Sequence, residues 1–419
     1  MSSGSPPAAI AVIRISGPDA LTAASRLAGR LPAPRHAALR ALRGAEGELL
    51  DRALVLVFPG PASATGEDLV ELHCHGGRAV VDAVEATLSA LPQVRRAEPG
   101  EFTRRALLNG RIDLTEAEGL ADLLAAETET QRRIALAAAE GHVSRAIRGW
   151  MERIVILSAR VEAAIDYAEE GDVEAESSTL ADLATDRKRL AAEMAAILAA
   201  PSVERWRDGF RLVVAGPPNA GKSTLVNLLG GRDAAIVSPI AGTTRDRIEV
   251  PVRRKGVAYV LIDTAGLHAA SDDPVEAIGM ERARAAVDEA HLVLWMGDDA
   301  SLAQDHVLRI HGRADLPGRE VVPPGAVVAV SARDPASVEQ LWQAIERHVG
   351  SLPLGTLPLH DRQRLACLEA AAALETGSAE LLLEAEQLRR AHRALATVLG
   401  ADATEQMLEA LFSRFCVGK

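Results

Sequence analysis

The residues Gly216-Pro-Pro-Asn-Ala-Gly-Lys-Ser223 follow the phosphate-binding spacing G-x-x-x-x-G-K-[ST]. Each residue type has a chemical reason to be there. Glycines let backbone N–H groups close round phosphate oxygens, and the helix that follows adds the positive end of its dipole. Lys222 supplies a full charge and Ser223 a hydroxyl for Mg²⁺. A run that reads as a buried strand, Leu212-Val-Val-Ala215, precedes the motif, and Thr224-Leu-Val-Asn227 continues it as a helix. A chance lysine in a glycine-rich turn would have neither neighbour, so the motif marks a nucleotide site. Asn219, at an unspecified position of the pattern, carries an amide oxygen that can serve a cation beside the phosphates.

Downstream, Gly242-Thr-Thr-Arg-Asp246 offers a second protein hydroxyl to Mg²⁺ when the loop closes over a γ-phosphate. The apolar run Val257–Ile262 ends in Asp263-Thr-Ala-Gly266, which sets a carboxylate at a strand end close to the metal. This order and spacing are those of a small GTPase. In Ras-like enzymes a glutamine after Asp-x-x-Gly orients the attacking water. Here Leu267 stands there, so hydrolysis is either slow or helped by other groups. The usual Asn-Lys-x-Asp falls on Gly312-Arg-Ala-Asp315. Asp315 can accept from guanine N1–H and N2–H, but the asparagine amide is absent, and Asp315 alone is equally a solvated loop carboxylate. Ser331-Ala-Arg333 fits a loop whose backbone N–H meets guanine O6. These residues favour guanine over adenine without excluding the latter.

These groups need a scaffold, and the chain divides into stretches of different texture. Residues 1 to about 110 read as a mixed α/β unit, with strands at Ala8–Ile15, Ala53–Phe58 and Asp68–His73. His75-Gly-Gly77 then turns into a helix carrying Val80, Val81, Val84 and Leu88, and Pro99-Gly100 marks a break. From 114 to 200 the sequence is rich in Ala and Leu, and Thr115-Glu-Ala-Glu118 fits a capping box opening it. Val143, Ile147, Trp150, Ile154 and Leu157 draw one apolar stripe on a long helix, with Trp150 a core residue. The same texture resumes from about 360 to 411 around Leu365, Leu368, Leu381, Leu388, Leu395 and Leu399. The nucleotide domain is therefore read as an insertion into one helical domain. The expected boundaries are 1–112, 113–204, 205–352 and 353–419.

At 419 residues, the length suggests two to four domains. Hydrophobic content of 48% with 25% charged residues is globular, and only 3% aromatics leaves Leu, Ala and Val to build the cores. No apolar run approaches the roughly 20 residues of a membrane helix, and no basic-then-apolar leader opens the chain, so a cytoplasmic protein with no membrane partner is expected. Cys74, Cys367 and Cys416 are too few and scattered for a disulfide framework or zinc site. A net charge of −12 argues against non-specific polyanion binding, so a nucleic-acid partner needs a local basic patch or a second protein.

Taken together, the residues resemble the bacterial tRNA modification GTPase family MnmE, also called TrmE. The resemblance rests on Val12-Ile-Arg-Ile-Ser-Gly17, Thr65-Gly-Glu-Asp68, Glu71-Leu-His-Cys-His-Gly-Gly77 and Pro99-Gly-Glu-Phe-Thr-Arg-Arg-Ala106. It continues through Leu108-Asn-Gly-Arg-Ile-Asp-Leu-Thr-Glu-Ala-Glu-Gly-Leu-Ala-Asp122, the GTPase motifs and the terminal Phe415-Cys-Val-Gly-Lys419, so it covers nearly the whole chain. It implies an N-terminal α/β domain that binds folate and dimerises, an α-helical domain, and a Ras-like P-loop GTPase domain inserted into the latter. It also implies a homodimer that forms a heterotetramer with the flavoprotein MnmG. That complex adds an aminomethyl or carboxymethylaminomethyl group to C5 of the wobble uridine of certain tRNAs. The carbon comes from a tetrahydrofolate derivative in its 5-formyl or 5,10-methylene form.

By motif position, the resemblance assigns GTP contacts to Asn219, Ala220, Gly221, Lys222, Ser223 and Thr224, and to Ser238, Pro239, Ile240, Ala241, Gly242, Thr243 and Thr244. Asp263, Thr264, Ala265, Gly266, Asp315, Ser331, Ala332 and Arg333 complete that set. Mg²⁺ falls to Ser223 and Thr244. A K⁺ ion, bound when two G domains pair, falls to Asn219, Ser238, Ile240 and Thr243, where its charge replaces an arginine finger. Glu276, in Val275-Glu-Ala-Ile-Gly279, is the candidate for positioning the water, against the alternative of a solvated helix charge. Lys222 and Glu276 are the catalytic candidates in the G domain. Folate falls to Arg14, Glu71, Arg111 and Lys419; Arg14 within an apolar strand is costly unless paired. Cys416 is the cysteine assigned to the modification, with a buried inert thiol as the competing view.

The sequence departs from the family pattern in places. The family opens with a strand of roughly Asp-Thr-Ile-x-Ala, whereas Met1–Pro7 begins at the loop after it, so the strand is missing or the start is misassigned. Ala64 replaces an aromatic, His268 an arginine, Arg111 a frequent lysine, and Gly312 the asparagine of the base motif. Two other readings compete. One is an Era-related ribosome-assembly GTPase, against which the folate-type segment and the Cys416 terminus speak. The other is a folate-binding scaffold whose G domain turns over weakly because of Gly312 and Leu267.

Overall fold

The structure is a computed structural model that describes residues 3, 6–168, 173–199, 203–231, 249–264, 285–297, 306–350, 357–378, 380–413 and 415; the side chains of 167–168 and 173–180 lie outside the description. The backbone divides into two compact units, one of residues 1–125, 136–196 and 365–419, the other of 126–135 and 197–364. The second is thus inserted in the chain of the first, as the change of texture along the sequence suggests.

The first unit opens with β1 (Ile10–Ser16), α1 (Ala20–Ala28), β2 (Ala38–Arg43), β3 (Leu49–Phe58), β4 (Leu69–His75), α2 (Arg78–Ser89) and α3 (Glu101–Leu108). The four strands form an antiparallel sheet in the order β1-β4-β3-β2. β1 alternates along its length, burying Ala11, Ile13 and Ile15 while Val12, Arg14 and Ser16 stay half-exposed. Val55, Leu72, Val81 and Val84 close the same core from the other strands and α2, each such side chain contributing about 1.5–3 kcal/mol. The three expected strands are present with ends shifted by at most four residues; β2, short and carrying two arginines, has too little alternation to be read beforehand.

The helical part comprises α4 (Leu114–Ala125), α5 (Glu129–Ala139), α6 (His142–Ala168) and α7 (Val173–Leu198), and resumes after the insertion. The stripe Val143, Ile147, Trp150, Ile154 and Leu157 is buried throughout on α6, and the Cys74 and Cys367 thiols are buried. One expectation is corrected. The capping box of α4 is Asp113 with Glu116, not Thr115 with Glu118. Asp113 Oδ1 accepts from Thr115 N at 3.0 Å and Glu116 N at 3.1 Å, while Asp113 N donates to Glu116 Oε2 at 2.8 Å. An aspartate two residues earlier outcompetes the threonine, whose hydroxyl donates to Asp113 Oδ1 at 2.7 Å. Leu365 and Leu368 lie on a helix as expected, on its exposed side, while the helix buries Cys367, Ala370, Ala371 and Leu374.

The second unit continues with α8 (Glu204–Asp208), β5 (Phe210–Ala215), α9 (Lys222–Gly230), β6 (Glu249–Arg254), β7 (Val257–Asp263), β8 (Leu292–Trp295), β9 (Val307–Gly312), β10 (Val328–Val330) and α10 (Pro335–Val349). Its sheet runs β10-β9-β8-β5-β7-β6, parallel except for β6. Helices on a parallel sheet bury both faces of its strands, which explains the apolar runs at Leu212–Ala215 and Leu292–Leu294. Such sheets bind ligands beyond the C-terminal strand ends, where β5 delivers the phosphate loop. Residues 126–135 join this unit: Thr130 N donates to Gly256 O at 3.2 Å, and Ile134 enters its core.

Back in the first unit, α11 (Asp361–Thr376), α12 (Leu381–Leu399) and α13 (Glu405–Phe412) follow. Within it, Arg187 of α7 and Glu384 of α12 form an ion pair at 2.8 Å, both about 6% exposed, with Ser378 N donating to Glu384 Oε2 at 2.7 Å. Removing one partner strands the other charge in a medium that cannot hydrate it. Arg187→Ala is expected to lower the stability of the helical part by about 3–5 kcal/mol, whereas the paired change Arg187→Met with Glu384→Leu should come close to neutral. Urea unfolding followed by circular dichroism checks both.

Candidate nucleotide and folate sites

β5, held between β7 and β8, ends at Ala215, and the chain turns through Gly216 into the phosphate loop. Gly221 is the N-cap of α9 in the left-handed region at φ 98°, and no side chain caps the helix. Its first N–H groups therefore receive no cap from that residue, which makes the helix end suited to an anion. Lys222 is turned back onto its own loop, its Nζ donating to Gly216 O at 2.9 Å and Pro217 O at 3.0 Å. Burial lowers its pKa, and the Asp263 carboxylate opposes that shift. Asn219 is exposed in the left-handed region at φ 60°; Ser223 and Thr224 are exposed at the head of α9, and Ala220 is half-buried. These positions fit the triphosphate of a nucleotide.

Asp263 ends β7 and is buried, while Thr264 spends its hydroxyl on Val214 O at 2.9 Å. Thr264 thus ties β7 to β5 and keeps the carboxylate at the height of Lys222. Ser238, Pro239, Ile240, Ala241, Gly242, Thr243, Thr244, Ala265, Gly266, Leu267 and Glu276 lie outside the described residues.

At the end of β9, Asp315 lies with its Oδ2 3.6 Å from Arg333 Nε. Ser331 N donates to Ser337 Oγ at 3.1 Å and Arg333 N to Ser331 Oγ at 3.0 Å. Both neighbours being engaged, Ala332 N–H is the loop amide with no partner among the described residues. Two residues near this site were not singled out from the sequence. Arg313, at φ 58°, sets its Nε 3.4 Å from where a Cβ on Gly221 would be. Met296, buried after β8, reaches the same place. Arg313 is legible as the Asn-Lys-x-Asp lysine position; Met296 carries no signal.

In the first unit, Arg14 and Glu71 face each other across β1 and β4, with Nε to Oε1 at 2.9 Å. Glu71 Oε2 also meets His73 Nε2 at 3.1 Å. The pairing explains how an arginine is tolerated in an apolar strand. Arg111 is exposed beside Gly66, and among the described residues nothing joins it to Arg14 or Glu71. Lys419 and Cys416 lie outside the described residues. A cavity of about 510 Å³ runs along β1, lined by Arg14, Ser16, Gln93, Arg95, Phe102 and Arg105 among others. Arg105 is fixed there by Glu67 at 2.7 Å and Glu101 at 2.9 Å, partners that raise its pKa against the opposing burial. Among the described residues no group of three His, Cys, Asp or Glu could hold a metal ion, and no helix is long and apolar enough to cross a membrane.

Parallel strands, a lysine-bearing loop at the end of β5 and an uncapped helix after it define a P-loop nucleotide-binding protein of the GTPase type, its domain set into a helical one. The sequence profile described as "GTP-binding protein TrmE N-terminus" matches residues 1–111, and that of the "MnmE helical domain" matches residues 114–416. The chain is 51% identical to the tRNA modification GTPase MnmE of Erythrobacter litoralis, covering 100% of this chain and 99% of that protein. It is 50% identical to the protein of the same name from Sphingopyxis alaskensis, over 97% and 100% of the two chains, and 47% identical to that of Zymomonas mobilis, over 100% and 99%. The chain belongs to the tRNA modification GTPase MnmE family.

Lys222→Met removes a buried cation whose desolvation two carbonyls and the Asp263 carboxylate offset only in part, so the ligand-free protein should melt about 2–4 °C higher. The same change should weaken GTP binding at least about 100-fold, since a charge-assisted contact to phosphate is lost. Thermal unfolding and calorimetric titration measure the two effects.

Proposed function

We propose that this chain hydrolyses GTP as a step in the modification of the wobble uridine of tRNA, acting in the cytoplasm as a homodimer with an MnmG-type flavoprotein. The observation that carries this reading is the end-to-end similarity to MnmE proteins, together with a phosphate loop whose lysine and helix end fit a triphosphate. The proposed parts are a folate-binding and dimerising domain (1–112), a helical domain (113–204 and 353–419) and a G domain (205–352).

In this reading Lys222 and the α9 N–H groups hold the β- and γ-phosphates. Ser223 and Thr244 hold Mg²⁺, with Asp263 near it, and Asn219, Ser238, Ile240 and Thr243 hold K⁺. The metal ions supply charge against the phosphate oxygens. Glu276 orients the water that Leu267 cannot. Ala220, Gly221, Thr224, Pro239, Ala241, Gly242, Thr264, Ala265 and Gly266 line the phosphates, while Asp315 and the Ser331-Ala332-Arg333 loop hold the base. Arg14, Glu71, Arg111 and Lys419 hold the tetrahydrofolate derivative, and Cys416 serves the modification.

A second reading, a folate-binding scaffold with a weakly active G domain, is favoured by Gly312 and Leu267. GTP turnover in KCl against NaCl at equal ionic strength separates the two. The first predicts at least about tenfold faster hydrolysis in KCl. Equal rates would overturn the potassium mechanism, and loss of the wobble-uridine modification on deleting the gene, read by nucleoside analysis of tRNA, tests the function itself.

A further inference from the structure

Met296 follows β8, and its backbone N–H donates to Ala215 O at 2.8 Å, which carries the ladder to the root of the phosphate loop. Its side chain is buried against three glycines. A Cβ built on Gly216 would stand 3.1 Å from Met296 Cβ, and one on Gly221 3.8 Å from Met296 Cε. One on Gly312 would stand only 2.6 Å from Met296 Cε, closer than packed carbons approach. Gly312 is where the Asn-Lys-x-Asp pattern asks for asparagine. The space that an amide side chain would enter is occupied by the methyl end of a thioether.

We propose that Met296 is a positioning and specificity-determining residue of the base site, taking by packing the place that an asparagine at 312 would take by hydrogen bonding. The proposal rests on the reading that this domain binds GTP. Wedged between the phosphate loop and the end of β9, Met296 fixes the height of Gly312–Asp315 over that loop, but a thioether neither reads nor repels a purine edge. Discrimination is left to Asp315 and the loop amide of Ala332. Guanine offers a carboxylate two donors, N1–H and the 2-amino group; hypoxanthine offers N1–H alone, and adenine offers a bare N1 acceptor. The expected affinity order is GTP, then ITP, then ATP, with a narrower spread than a site that also carries an amide.

The test is a cycle in the full-length chain: wild type, Gly312→Asn, Met296→Ala, and both together. Dissociation constants for GTP, ITP and ATP come from displacement of a fluorescent guanine nucleotide, with melting temperature recorded beside them. Gly312→Asn alone should weaken GTP binding about tenfold, because the Met296 methyl end must leave its place between Gly312 and Gly221 before the amide can enter. Adding Met296→Ala should restore it to within about threefold of wild type and widen the GTP-to-ATP ratio about tenfold, as the amide gains room to bond. A merely structural contact would move the melting temperature without moving that ratio. Should Gly312→Asn not fold, Gly312→Ala reads the same contact with a single added carbon, and its loss must likewise vanish with Met296→Ala. Wild-type affinity in the single 312 variants, or a double variant no tighter than its single parent, overturns the proposal while leaving GTP binding intact. A wild-type chain that binds no GTP overturns both.

Discussion

A lysine ammonium folded against the carbonyls of its own loop is the interaction from which the nucleotide domain takes its order. The pair Gly216 O and Pro217 O can solvate Lys222 only partly, so burial lowers its pKa. Two further features point the same imbalance outwards: α9 begins with no side-chain cap, and Gly221 opens it in a left-handed turn. A loop with this much unneutralised positive potential is held open by the sheet around it. β5 is locked by parallel ladders on both sides, and Thr264 bonds across to Val214. The stability sacrificed at the loop is supplied by the strands beneath it, the usual arrangement for a preorganised anion site.

How much of this was legible in the sequence follows from how local each cause is. The phosphate loop can be read because its mechanism is contained in eight consecutive residues. The α6 stripe can be read because 3.6-residue periodicity needs no partner to be visible. Asp113 and Thr115 both head plausible capping boxes, and sequence does not say which residue leaves the helical conformation first. Leu365 and Leu368 mark a helix, but which of its faces is buried is not local information: it is the face built on small side chains. Met296 sits about 80 residues beyond the loop it supports, in a strand end where any apolar residue would look natural. Residues 126–135 read as helical texture, yet Glu127 pairs with Arg253 at 2.8 Å and Thr130 bonds Gly256, contacts that span half the unit's chain.

The N-terminal site shows a different balance. Arg14 and Glu71 neutralise one another across two strands, and His73 takes the second carboxylate oxygen. A ligand entering there must exchange hydrogen bonds rather than meet bare charge, which favours a molecule presenting both donors and acceptors over a simple anion. A reduced pterin ring has that character, and its glutamate tail suits arginines such as those along the neighbouring cavity. Neutrality before binding also limits long-range steering, so selection at this site falls to shape and hydrogen-bond geometry.

The two halves of nucleotide chemistry are unequally provided for. In the proposed function Lys222 and the α9 N–H groups would contact phosphates that are charged before, during and after hydrolysis. Contacts of that kind lower the free energy of bound substrate and transition state together, which tightens binding without speeding the chemical step. A rate requires a group that meets charge or a proton only as the bond to the γ-phosphate breaks. Leu267, an alkyl chain where a water-orienting amide would stand, cannot be that group. Among the described residues, Asn219 and Ser223 are the exposed polar side chains of the loop. On the proposed reading such a chain would bind nucleotide by itself and hydrolyse it at a rate set by what is brought to the loop, so control over that encounter would be control over turnover.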